Sequence, residues 1–266
     1  MTMNTTALDL SILGPAFIAG LLVLATHVPL GIQVLSRGIV FIDLAIAQVA
    51  GIGVIAADAA GWEPQGWAVQ IAAVAAALAG AVLLTYTEKR WPEVQEALIG
   101  VLFVLASCAG ILLLANNPHG GEHLKDLLVG QILWVNARQL IAVGVLTLVL
   151  LAVWFLFRAK LGRIGFYAVF AFAVTASVQL VGVYLVFASL IIPALATRTI
   201  AGRRRQWIAY GTGVVAYAVG LAVSALADLP SGAVVVMTLA VLGIACATVF
   251  APRGARVTRS TAPLSH

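Results

Sequence analysis

Charge is what this sequence has least of. Only 9% of its 266 residues are Asp, Glu, Lys or Arg, while 62% are hydrophobic and the mean hydropathy is +1.08. A water-soluble domain carries about a quarter of its residues as charges, so lipid is the solvent this composition suits. Cysteine is scarce as well. Cys108 and Cys246 both fall inside apolar runs, with no second thiol or histidine at metal-ligand spacing, which excludes a disulfide framework and a zinc knuckle. No G-x-x-x-x-G-K-[ST] phosphate loop occurs, so any ATP has to be hydrolysed by another chain. No basic residue precedes Arg37. The N-terminus thus lacks the positive region of a cleavable signal, and the first apolar run is expected to stay as a span.

What is present is a series of apolar runs. A helical span takes about 20 mostly apolar residues, and such runs cover about 12–35, 39–60, 65–87, 95–116, 137–157, 206–227 and 231–251. The stretch 164–197 is longer than one span. With Gln179 and Gly182 near its middle and Pro193 near its end, it reads as two short helices or a re-entrant hairpin. The net charge of +5 and pI near 9.6 come from short basic clusters between these runs, the pattern of topology signals and not of a nucleic-acid surface.

Cytoplasmic loops collect Lys and Arg. Arg37, Lys89, Arg90, Arg158, Lys160, Arg163, Arg198, Arg203, Arg204, Arg205, Arg253, Arg256 and Arg259 fall on one set of connections, and only Lys125 and Arg138 on the other. The split, 13 of 15 basic residues against 2, requires the 164–197 stretch to cross and return. The expectation is an all-α, polytopic transmembrane bundle of eight or nine segments. Its N-terminus lies outside and its C-terminus inside, in the bacterial cytoplasmic (inner) membrane. Residues 1–252 form one transmembrane domain, followed by a basic cytoplasmic tail, 253–266, without regular structure.

Few polar groups interrupt the spans, and each central charged one costs about 2.5 to 3.5 kcal/mol on insertion scales. His27 lies in the first span, Asp43 and Gln48 in the second, Glu96 at the start of the fourth and Gln179 in the hairpin. Counting from Arg37 at about 1.5 Å per residue puts His27 and Gln48 both about 15 Å deep, near the midplane. There they are expected to be able to face each other. Pro29 cannot donate to the carbonyl of Ala25, so a kink beside His27 is expected, and an opened helix at that depth is a common way to build a transport site. Asp43 and Glu96 form a shallower polar layer, about 9 Å above the basic loops. Each has a structural alternative: helix contact for His27, Gln48 and Gln179, and capping or pairing with Arg37 or Arg90 for the carboxylates.

The connection 116–126 contains His119, Gly120, Gly121, Glu122 and His123, formally the H-x-x-E-H order of a zinc peptidase. Two adjacent glycines make a loop where that motif needs a rigid helix, so the residues suit metal capture at an outer mouth, or a solvated loop, but not peptidase chemistry. The run 124–135 is expected to lie along the outer surface, with Trp134 near the headgroups.

Four segments, in order, resemble one family. Glu96-Ala-Leu-Ile-Gly-Val-Leu-Phe103 is similar to a fourth-span motif, and Asp126-Leu-Leu-Val-Gly-Gln-Ile-Leu133 to the outer segment after it. The stretch from Val181 to Arg198 resembles the region before the late cytoplasmic loop, and Asp228-Leu-Pro-Ser-Gly232 a last outer turn. The family is the membrane-spanning subunit of bacterial zinc and manganese ABC importers, and the resemblance runs from about residue 21 to 250.

The resemblance implies a permease dimer, homomeric or heteromeric, a separate ABC ATPase that uses the ATP, and an extracytoplasmic metal-binding receptor. It implies no cofactor bound by this chain, no enzymatic activity, and a transported divalent metal: zinc or manganese, with iron as a further candidate. The translocation path is then carried by His27, Asp43, Gln48 and Glu96, with His119, Glu122 and His123 as external capture residues. Two departures bear on this. Where the family has Gly-Asp-Ala-Leu-Ser-His in its second span, this chain has Asp43-Leu-Ala-Ile-Ala-Gln48, so an amide replaces the imidazole and the carboxylate moves by one residue, about 100° around the helix. The family's longer loop after the fifth span, which presses into the ATPase, is reduced to 160–165. Arg198, Arg203 and Arg204 are then expected to make the ATPase contact; the alternative is a transporter or channel that works without ATP.

Overall fold

The structure is a computed structural model, and it describes residues 10–62, 66–114, 128–130, 132–157 and 160–251. Among these residues it is all-helical. In chain order the helices are α1 (Leu10–Arg37), α2 (Ile42–Ala59), α3 (Trp67–Arg90), α4 (Gln95–Leu114), α5 (Ala137–Phe157), α6 (Gly162–Val181), α7 (Val183–Ala196), α8 (Gly202–Ala227) and α9 (Ser231–Val249). Short 3-10 turns cover Pro92–Val94 and Ile132–Trp134. Among the described residues, seven helices are long and apolar enough to cross a membrane: α1, α3, α4 with the turn before it, α5, α6, α8 and α9. The chain is a multi-pass membrane protein. The 14 residues of α7 reach about 21 Å, less than the hydrocarbon thickness.

The expected break in the 164–197 stretch falls at Gly182. Its φ of 81° is open to glycine at little cost, and a Cβ on Gly182 or on Gly130 would overlap the other's backbone. The break is therefore fixed by close approach as well as by conformation. The stretch also returns to the end it left. At the start of α6, the Arg37 guanidinium lies 4.1 Å over the Phe166 ring. At the end of α7, Arg205 donates to the Ala194 carbonyl at 3.2 Å. Helix α8 runs antiparallel to α1, since Tyr210 donates to the Ala25 carbonyl at 2.9 Å while the Tyr217 ring lies on Gly20. Arg205 is thus at the Arg37 end. The other end gathers Val129, Gly130, Gly182 and Gly232.

Helices α1 and α6 are central, with 61% and 67% of their apolar windows buried against 17% for α5 and 22% for α4 and α9. Lipid supplies little drive for apolar surfaces to associate, so close packing and hydroxyl bonds hold such a bundle. Both are present. Gly31 admits the Leu190 backbone so closely that no Cβ fits there, and the Ser189 and Tyr217 hydroxyls, both buried, are 2.8 Å apart. At the Arg37 end, Gln95 Nε2 donates to the Leu84 carbonyl at 3.1 Å and to the Tyr167 hydroxyl at 3.4 Å, and Trp154 packs on Phe166.

Candidate functional site

The polar residues of α2 and α4 make the strongest constellation. Asp43 lies in the first turn of α2 and Glu96 in the first turn of α4. Glu96 Oε1 accepts from the backbone N–H of Phe41, the N-cap residue of α2, at 3.3 Å. The carboxylate thus sits where a helix N-terminus favours negative charge. Asp43 is 1% exposed and within electrostatic reach of Glu96. Neither Asp43 oxygen has a hydrogen-bond partner among the described residues, nor does Glu96 Oε2. Unpaired buried carboxyl oxygens are costly. Asp43 and Glu96 thus lie near each other at the starts of α2 and α4, and Glu96 makes the capping contact that was the structural alternative for it.

Above this layer a narrow cleft of about 20 Å³, room for about one water, lies between α2, α4, α6 and α7. Helix α2 contributes Ala47, Gln48, Gly51 and Ile55, and α4 contributes Ser107 and Gly110. Asp43, Ala47, Gly51 and Ile55 are spaced by four and share a helix face, so Asp43 stands one turn from the Ala47 end of the cleft, toward Arg37. Ser107 was not singled out from the sequence. Its signal was there: it follows Glu96 by eleven residues, about three full turns, and so falls on the same face of α4.

His27 is elsewhere. It is fully buried in α1, with Nδ1 2.9 Å from the Val23 carbonyl and 3.0 Å from Thr26 Oγ1, and with Nε2 unpartnered among the described residues. It does not line the Gln48 cleft. Helices α6 and α7 pack against both α1 and α2 and stand between them, so the expected face-to-face arrangement of His27 and Gln48 is not formed. Equal depth along two helices does not make two side chains neighbours. Among the described residues no three His, Cys, Asp or Glu side chains group as a metal site. His119, Glu122 and His123 lie outside the described residues.

At the Arg37 end, Arg198, Arg203 and Arg204 are exposed, Arg204 lies 5.6 Å from the Phe250 ring, and Thr199 donates to the Phe250 carbonyl at 3.1 Å. The connection between α5 and α6 is short, residues 158–161.

The model of the ABC 3 transport family matches residues 9–167 and 160–250. The chain belongs to this family. The two matched parts meet at 160–167, where the α5–α6 connection leads into α6. An uncharacterized membrane protein of Synechocystis sp. is 26% identical over 260 residues, 88% of this chain and 89% of that protein. A Chlamydia muridarum protein described as a "probable metal transport system membrane protein" is 29% identical over 80 residues. That match covers 30% of this chain and 27% of the Chlamydia protein. Among solved structures, a chain of PsaBC from Streptococcus pneumoniae in complex with Fab superposes with a TM-score of 0.72, at 19% identity, over 88% of this chain and 90% of that one. An inward-facing structure described as a metal-chelate type ABC transporter gives 0.63, at 17% identity, over 89% and 84%. These likenesses establish the fold. As an ABC 3 family member the chain is a transport subunit and not an enzyme.

Proposed function

We propose that this chain is the permease subunit of an ABC transporter that moves a divalent transition metal, zinc or manganese, across the cytoplasmic (inner) membrane. One observation carries the reading: the buried Asp43 carboxyl has two unpartnered oxygens one turn from the α2/α4 cleft and beside Glu96. Oxygen donors in that state suit a passing divalent cation. The description of the Chlamydia protein names metal transport, and that of the inward-facing structure names an ABC transporter.

ATP is hydrolysed by a partner ATPase. A second permease copy and an extracytoplasmic receptor complete the assembly, and the Arg37, Arg163 and Arg205 end faces the cytoplasm. The ATPase docks on the connection after α7 through Arg198, Arg203 and Arg204. The short 158–161 connection supports this assignment, because it leaves no room for a coupling helix after α5.

The test is reconstitution with and without the ATPase, followed by uptake of zinc, manganese and iron. ATP-dependent uptake of one metal is expected, and Asp43→Asn should remove it while leaving the amount of folded protein unchanged. Equal flux without ATP would replace the ABC reading with an ATP-independent transporter, which the short connection also suits.

A further inference from the structure

We propose that Glu96 is a latch released by the cargo: a divalent cation that reaches Asp43 draws the Glu96 carboxylate off the turn joining α1 to α2, and so frees Phe41 from its stack on α7. The proposal rests on the permease reading above and names what the cargo does at that site.

The turn, residues 38–41, is lightly held by its own bonds. The N–H groups of Gly38, Ile39 and Ile42 donate to the carbonyls of Leu35, Val34 and Ile39 at 3.4, 3.4 and 3.3 Å, longer than the usual value of about 2.9 to 3.0 Å. Gly38 has a φ of 71° and open space where a Cβ would stand, so nothing packs on that corner. Ile39 and Ile42 are buried and fix the depth of the turn. Phe41 is exposed and is held from outside by two contacts. Its N–H donates to Glu96 Oε1 at 3.3 Å, and its ring stacks on Phe187 of α7 with centroids 6.2 Å and planes 4° apart. No side chain of the turn caps α2 in place of Glu96.

Glu96 therefore has two claims on it. One oxygen holds Phe41. The other, Oε2, is buried without a partner among the described residues, as are both oxygens of Asp43, a side chain 1% exposed. No third His, Cys, Asp or Glu among the described residues joins them. Hard divalent cations take six or more oxygen ligands, so an ion at Asp43 has use for every oxygen that Glu96 can offer. In a low-dielectric interior a double charge attracts a carboxylate more strongly than one peptide N–H does.

A ligand moves a two-state element only if it binds the two states differently. Here it does, because Glu96 can turn both oxygens to the ion only after letting go of Phe41. With the N–H released, the ring stack and three long bonds are what remains, and the start of α2 can part from α7. Phe41 is then a positioning residue. The turn follows Arg37, so the exit toward the Arg37 end loosens only when cargo occupies the site.

The experiment uses the permease assembled with its ATPase in lipid nanodiscs and follows hydrogen–deuterium exchange of the peptide covering 38–42. Manganese or zinc is added, with magnesium at the same concentration as the control, and ATP-dependent uptake is measured on the same preparation in proteoliposomes. In the wild type the transported metal should speed exchange of this peptide about tenfold, while the peptide around Gly182 stays unchanged. Glu96→Gln keeps an acceptor for the Phe41 N–H but loses the charge, so the response to metal should disappear. Phe41→Ala provides a second variant if the first does not fold: without the ring stack, exchange should be fast before any metal is added.

ATP-dependent uptake with exchange at 38–42 unchanged or slowed by the transported metal overturns the latch and leaves the permease reading standing. A full metal response in folded Glu96→Gln, or wild-type exchange in Phe41→Ala, overturns the part assigned to that residue and the latch with it. Absence of ATP-dependent uptake of any of the metals overturns the permease reading itself.

Discussion

The α1–α7 contact and the α2–α4 cleft are built to opposite rules. Where α1 crosses α7, backbone meets backbone at Gly31 and Leu190, and the nearby hydroxyls of Ser189 and Tyr217 satisfy each other. Where α2 faces α4, small residues leave space, and at its foot a carboxylate is buried with neither oxygen paired. The first region is what a stable membrane bundle requires. The second is what stability alone would remove, since an unpartnered buried carboxylate costs more than an apolar replacement. The contrast makes the α2–α4 region the place to test the proposed function.

The sharpest way to break this contrast is Gly31→Leu. It should cost about 3 kcal/mol or more through overpacking against the Leu190 backbone, and no folded protein should survive size-exclusion chromatography in detergent. Gly110→Ala makes the opposite case in the cleft. The added methyl meets only Ile55 Cδ1 at 3.5 Å, an ordinary contact. The melting temperature should therefore stay near the wild type while uptake through the narrowed cleft falls.

Glu96→Gln comes next. It weakens the interaction with the N-terminus of α2, a loss of about 1 kcal/mol, and withdraws one carboxylate from the path, so a modest drop in stability should accompany a larger drop in transport. Tyr217→Phe has the smallest effect. It removes the hydroxyl shared with Ser189, worth about 0.6 kcal/mol in a membrane interior, and should lower thermal stability slightly with uptake unchanged. Loss of transport in Tyr217→Phe without loss of stability would move the functional region toward α1 and erase the comparison.

Much of the site was legible as composition along single helices. Asp43, Gln48 and Glu96 stood out because a polar group in an apolar run is rare, and Gly182 because a glycine in the middle of an overlong run has to end a helix or bend it. The Glu96 to Phe41 hydrogen bond spans 55 positions in sequence, so no local pattern announces it. The expected facing of His27 and Gln48 failed for the same reason. The depth of His27 follows from counting residues, but its neighbours depend on α6 and α7, which enter the chain more than a hundred residues later. Ser107, like other serines in membrane helices, can bond its own backbone four residues back. It does so here and still lines the cleft.

The sequence by itself determined the solvent, the helices and where they break, because hydropathy, helix length and glycine conformations are local properties. It also determined which charges are out of place in lipid. Which of those residues meet was decided only by the tertiary structure, since the direction a helix face points is set by the helices packed around it. Asp43 found Glu96 because the start of α4 closes over the start of α2. His27 and Gln48 remained apart because α6 and α7 fold between them.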